Sequence, residues 1–128
     1  MYIRFIVQYK DEDSGRRMGI FQALAELRDQ GELYNYELDQ MKEIHDWFDK
    51  NLNKPDHFNR SNRPNTKNKA ISWFKDSAIS HILKMREIVS ILESHNLSVE
   101  VIKTESPGYV VYEDESQVTA EAFRDTGA

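Results

Sequence analysis

Arg60 and Arg63 stand three residues apart in the stretch NRSNRPNTKNKAISWFK, residues 59–75, which also holds Lys67, Lys69 and Lys75 and closes around Trp73 and Phe74. A guanidinium grips phosphate or carboxylate through paired planar hydrogen bonds, and an ammonium adds a point charge. An aromatic face stacks on a base or a cation. These residue types in one segment point to anion recognition, with Arg60, Arg63, Lys69, Trp73 and Lys75 as the ligand-binding set. The helix expected to start where the cations end would add its unpaired backbone N–H groups. The plainer reading is that the two aromatics anchor a loop to the core while the basic side chains are solvated or pair with the protein's own acids.

The charge layout makes the segment stand out. The chain has 128 residues with 17 Lys and Arg against 22 Asp and Glu, a net charge of -5. Residues 54–75 hold six of those bases (Lys54, Arg60, Arg63, Lys67, Lys69, Lys75) and one acid, Asp56, which leaves 11 bases against 21 acids elsewhere. A local balance of +5 therefore sits in a chain that is otherwise -10. That acidic remainder would repel the backbone of duplex DNA, whose binding needs many phosphate contacts, and no helix is basic enough for a groove. An anionic small molecule, a nucleotide, a single strand or an acidic protein is the partner class expected.

Other chemistry is poorly supplied. Glu113 and Asp114 are adjacent in Tyr112-Glu113-Asp114-Glu115, and on a strand they would point to opposite faces, which suits a charged edge better than an acid–base pair. The histidines, His45, His57, His81 and His95, form no HExxH or i,i+4 pair, and cysteine is absent, so the usual zinc sets, disulfides and thiol nucleophiles are excluded. His45 beside Asp49, or His81 with a carboxylate such as Glu113, would act as a general base only in a pocket between helices and sheet; that is the enzyme alternative. Gly15, Gly19, Gly31, Gly108 and Gly127 are scattered, with no phosphate-binding glycine loop and no GxSxG elbow. No catalytic residue, metal site or cofactor is assigned.

The elements that must position the segment follow from periodicity. YIRFIVQY, residues 2–9, places Ile3, Phe5, Val7 and Tyr9 on one side of a strand. KDEDSGRR is a loop. Ile20, Phe21, Leu24 and Leu27 give a first helix over 18–30 ending at Gly31, and Leu38, Met41, Ile44, Phe48 and Leu52 give a second over 35–52 with Asn35 as its N-cap. Residues 53–71 have no period, two prolines and six Asn or Ser, and read as a long polar loop, of a length usually functional or disordered. A third helix runs from Trp73 or Asp76 to His95 on the stripe Ala78, Ile82, Met85, Val89 and Leu92, with Asn96 as a left-handed stop. Three β-prone runs follow, at 98–104, 108–113 and 117–122, separated by hairpin-length turns.

This gives an α+β fold in the order β-α-α-α-β-β-β. The N-terminal strand and a C-terminal three-stranded meander form a sheet of about four strands, mainly antiparallel, with three helices packed on one face. The length fits one domain over 1–128. With no signal-like N-terminus and no apolar run of membrane length, the expectation is a soluble, cytoplasmic protein.

Arg17-x-Gly19-Ile20-Phe21, Asp46-Trp47-Phe48 before Asn51-Leu52, Arg60-x-x-Arg63-Pro64, Ser72-Trp73-Phe74, His81 with Met85-Arg86-Glu87, and the tail PGYVVYEDESQVTAEAF together resemble a family of small, stand-alone, uncharacterised bacterial proteins. The resemblance covers nearly the whole chain and is most specific in the tail, where Ala122 departs from a common proline. It implies a bacterial or bacteriophage origin and a free-standing domain, and carries over no activity, substrate or cofactor. The function expected is a non-enzymatic binding or regulatory module engaging an anionic ligand or acidic partner through residues 54–75. A small enzyme is one alternative, and an immunity or anti-defence protein acting through its acidic surface is the other.

Overall fold

Strand β1 (Tyr2–Lys10) buries Ile3, Phe5 and Val7 on alternate positions as its pattern predicts, and Ile6 is buried as well, so the middle of the strand is covered on both faces. The computed structural model describes residues 1–10, 17–53 and 70–122. After β1 come β2 (Arg17–Gly19), α1 (Ile20–Asp29), α2 (Asn35–Asn51), β3 (Ala70–Lys75), α3 (Ile79–Ser94), β4 (Val99–Thr104), β5 (Tyr109–Glu113) and β6 (Gln117–Glu121). The fold is α+β, and its sheet is mostly antiparallel with strand order β2-β1-β3-β6-β5, β4 also pairing with β1.

Two expectations about the sheet are corrected. Six strands form rather than four, because Arg17–Gly19 pairs with β1 and Ala70–Lys75 is a strand where the sequence suggested a loop running into a helix. The meander is not formed in sequence order either. β5 and β6 make the expected hairpin, but β4 pairs with β1, and the far side of β6 is taken by β3.

Contacts gather the chain into two compact units. The first comprises residues 1–4, 53–82 and 102–128. Its centre is β3 against β6 in the register Ile71↔Ala120, Ser72↔Thr119, Trp73↔Val118. Ile71, Trp73 and Val118 form a buried cluster, with Tyr2, Ile102, Val110 and Ala122 packed around it. Beside that cluster the hydroxyls of Ser72 and Thr119 meet at 3.0 Å, a cross-strand pair that satisfies both polar groups.

The second unit comprises residues 5–52 and 83–101. Here α1 meets α2 through Phe21, whose ring is edge-on to Phe48 at 5.2 Å. α2 and α3 run antiparallel: Lys84 near the start of α3 lies 5.9 Å from the Trp47 ring late in α2, while His95 just past α3 reaches Glu37 in the first turn of α2. Both α1 and α3 stop as their sequences predict. Gly31 (φ 71°) and Asn96 (φ 65°) take left-handed backbone, and the amides of Glu32 and Leu97 reach back to the carbonyls of Leu27 and Leu92 at 2.9 and 3.0 Å. These are Schellman stops, which satisfy carbonyls otherwise left open at a helix end.

Among the described residues, no helix is long and apolar enough to cross a membrane.

Candidate functional site

The two described residues that border positions 54–69 of the basic segment both bond to one strand. Asn53, the last described residue before it, accepts a hydrogen bond through its carbonyl from Gln117 Nε2 at 2.6 Å, at the start of β6. Ala70, the first described residue after it, pairs with Glu121 at the end of β6. Gln117 and Glu121 are both buried, so these anchor points lie in the interior of the sheet. Arg60, Arg63 and Lys69, together with Lys54, Lys67 and His57, lie outside the described residues.

The two remaining members of the expected set have other employment. Trp73 is 1% exposed and presents no ring face to a ligand, which corrects its reading as a flat external contact. The cause is register: β3 turns Ile71 and Trp73 inward on alternate positions, a period-2 burial hidden by the helix-like sequence that follows. Lys75 ends the same strand with its Nζ 2.8 Å from Glu113 Oε2 on β5, so its ammonium is held by a carboxylate of the protein itself. Its backbone N–H donates to the Ser116 carbonyl at 2.8 Å, which further fixes the end of the segment. Phe74 is half-buried, its ring 6.0 Å from the His81 imidazole.

The carboxylates of the β5–β6 turn have structural duties. Asp114 Oδ1 accepts from the amides of Ser116 and Gln117 at 2.9 and 3.0 Å, and Oδ2 from Tyr112 OH at 2.9 Å and Gln117 Nε2 at 3.2 Å. Burial works to raise its pKa, but the Ser116, Gln117 and Tyr112 donors outweigh this and hold the carboxyl below its ordinary value. The same Gln117 amide bonds both Asp114 and Asn53, so the hairpin turn and the entrance to the basic segment share one side chain. Gly108, which opens the hairpin, has φ 133°, and a Cβ there would overlap the carbonyl oxygen of Glu121.

A histidine–carboxylate pair does form, between Glu37 and His95, which no local pattern couples. Glu37, 2% exposed, places Oε1 2.8 Å from His95 Nε2 and 3.0 Å from the Tyr34 amide, with Ser94 Oγ 3.4 Å from Oε2. Burial alone would raise the Glu37 pKa, yet the Tyr34 N–H, the His95 imidazole and the Ser94 hydroxyl lower it overall. Glu37 stands in the first turn of α2 and His95 just past the last residue of α3, so the anion sits at the positive end of one dipole and the imidazole at the negative end of the other. The only sequence signal was the acid three residues after Tyr34, half of a capping box whose Ser or Thr is replaced by Tyr.

Two of the residues that the enzyme alternative invokes have partners or packing of their own. Glu113 is engaged by Lys75, and His45 packs its ring 5.7 Å from Phe21 with Nε2 buried and unbonded. Among the described residues, no group of three His, Asp or Glu side chains is placed to hold a metal ion. No family model, curated protein or solved structure matches the chain in comparisons with known proteins.

Proposed function

We propose that the protein is a non-enzymatic binding module of bacterial or bacteriophage origin, which engages an anionic ligand or an acidic partner through the basic segment of residues 54–75. The observation that carries the reading is the charge segregation: six cations and one acid in residues 54–75 of a chain with net charge -5. Attachment of both flanking residues to β6 supports it, because a charged segment tethered to a buried strand can present its cations without large displacement at its ends. With Lys75 paired to Glu113 and Trp73 in the core, Arg60, Arg63, Lys67 and Lys69 carry the contact. Arg60 and Arg63 supply bidentate hydrogen bonds and the lysines supply attraction at longer range.

The reading is tested by titrating the wild type and an Arg60→Ala/Arg63→Ala variant against nucleotides, short oligonucleotides and an acidic peptide. Loss of two charge-assisted contacts weakens binding of the true ligand class by about tenfold or more.

A further inference from the structure

We propose that the stacked Tyr34–Tyr36 pair at the start of α2 is a docking surface for an arginine-bearing basic peptide segment of another protein. The two rings are parallel to within 5°, with centroids 5.9 Å apart. They are nevertheless 64% and 68% exposed, so the pair turns a large aromatic area to solvent. Behind them the His95 ring lies 6.1 Å from Tyr34, and His95 is itself held by the buried Glu37. The tier has a fixed inner end and an open outer end at Tyr36.

Charge selects the occupant. Asp39 and Glu43 follow Tyr36 by three and seven residues, on the same face of α2, and both are exposed. Exposed Glu32 precedes the helix, and Lys42 is the one exposed base between residues 32 and 43. A nucleobase would also stack on a phenol, but its phosphate would meet these carboxylates. A guanidinium satisfies both features at once: its plane stacks on the Tyr36 face while its N–H groups reach Asp39 or Glu43. The positive end of the α2 dipole does not oppose this, since Glu37 already occupies it. Because the rings are already stacked, ordering them on binding costs little.

The surface shares no residue with the basic segment, so its test is independent of the function proposed above. The full chain is titrated with a short alternating Arg-Gly peptide, its Lys-Gly counterpart and oligo-dT, while the tyrosine ring resonances are followed by NMR. The proposal expects saturable shifts of the Tyr36 ring with the Arg-Gly peptide, weaker binding of the Lys-Gly peptide, and an about tenfold loss of affinity in Tyr36→Ala. Exposure of Tyr36 keeps that variant folded, which a thermal melt checks, and an Asp39→Asn/Glu43→Gln variant supplies a second arm with both rings intact. Unchanged affinity in Tyr36→Ala, equal response to both peptides, or oligo-dT shifting the Tyr36 ring would each overturn the proposal.

Discussion

Glu37 Oε1 and His95 Nε2 lie 2.8 Å apart and join the first turn of α2 to the end of α3, residues 58 positions apart in the chain. The carboxylate is buried, and its remaining valences are met by the Tyr34 amide and the Ser94 hydroxyl. Removing it strands the Tyr34 amide and leaves His95 Nε2 without its partner, whereas Ser94 Oγ keeps its 2.6 Å bond to the Ile91 carbonyl. Glu37→Ala is expected to cost about 1–3 kcal/mol of unfolding free energy, measured by urea denaturation, and His95→Ala less, because Tyr34 and Ser94 still bond the carboxylate.

Acid stability follows from the same carboxylate. The pKa values of Glu37 and Asp114 are both lowered in the folded protein, so the unfolded chain binds protons more readily. Their stabilisation is present above the ordinary carboxylate pKa, about 4, and is lost as pH falls through the lower folded values. Melting temperature should therefore drop on acidification below that range. Glu37→Gln and Asp114→Asn should each make the pH profile flatter there, and an unchanged slope in both variants would contradict the assignment.

The β5–β6 turn offers a sharper mutational contrast. Asp114→Ala removes the acceptor of two backbone amides and two side-chain donors, with an expected cost of about 2–3 kcal/mol. Glu113→Gln weakens its part-exposed ion pair with Lys75, a loss that should cost under about 1 kcal/mol. Chemical denaturation of the two variants side by side measures the difference.

Gly108→Ala is expected to be worse than either Glu113→Gln or an ordinary surface change. The backbone φ of 133° suits glycine alone, and the added methyl would overlap the Glu121 carbonyl. A loss of about 3 kcal/mol or more, or failure to fold at growth temperature, is the expected outcome.

How far the sequence discloses this fold depends on whether an element's pattern is local. α2 and α3 carry long apolar stripes and end near their expected positions, and Gly31 and Asn96 both adopt the left-handed backbone their residue types suggest. The helix starts are less legible. α3 begins at Ile79, because Ile71 and Trp73 belong to a strand that abuts it through a short turn. At the start of α2 the cap comes from Glu37 reaching back to Tyr34 instead of from Asn35. β3 is hidden because six residues of alternation cannot outweigh the polar run before them, and its partners β1 and β6 are distant in sequence. The candidate site was half legible: charge shows in composition, whereas burial of Trp73 and the pairing of Lys75 depend on register that only the folded chain sets.

Lys75 then provides a check internal to the charge argument. Because Glu113 holds its ammonium, Lys75→Ala should leave anion affinity within about twofold of wild type, the scale of a screened distant charge. An effect as large as that of the Arg60→Ala/Arg63→Ala variant would mean that Lys75 releases Glu113 to meet the ligand.

The most direct test of the central claim is the salt dependence of binding to a short single-stranded oligonucleotide by the wild type and the Arg60→Ala/Arg63→Ala variant. If both guanidinium groups contact phosphate, the logarithm of wild-type affinity falls linearly with the logarithm of salt concentration, and the variant binds more weakly with a slope shallower by about 1.4. Coincident curves for the two proteins, with an acidic peptide and free nucleotides likewise unaffected by the substitutions, would contradict the claim.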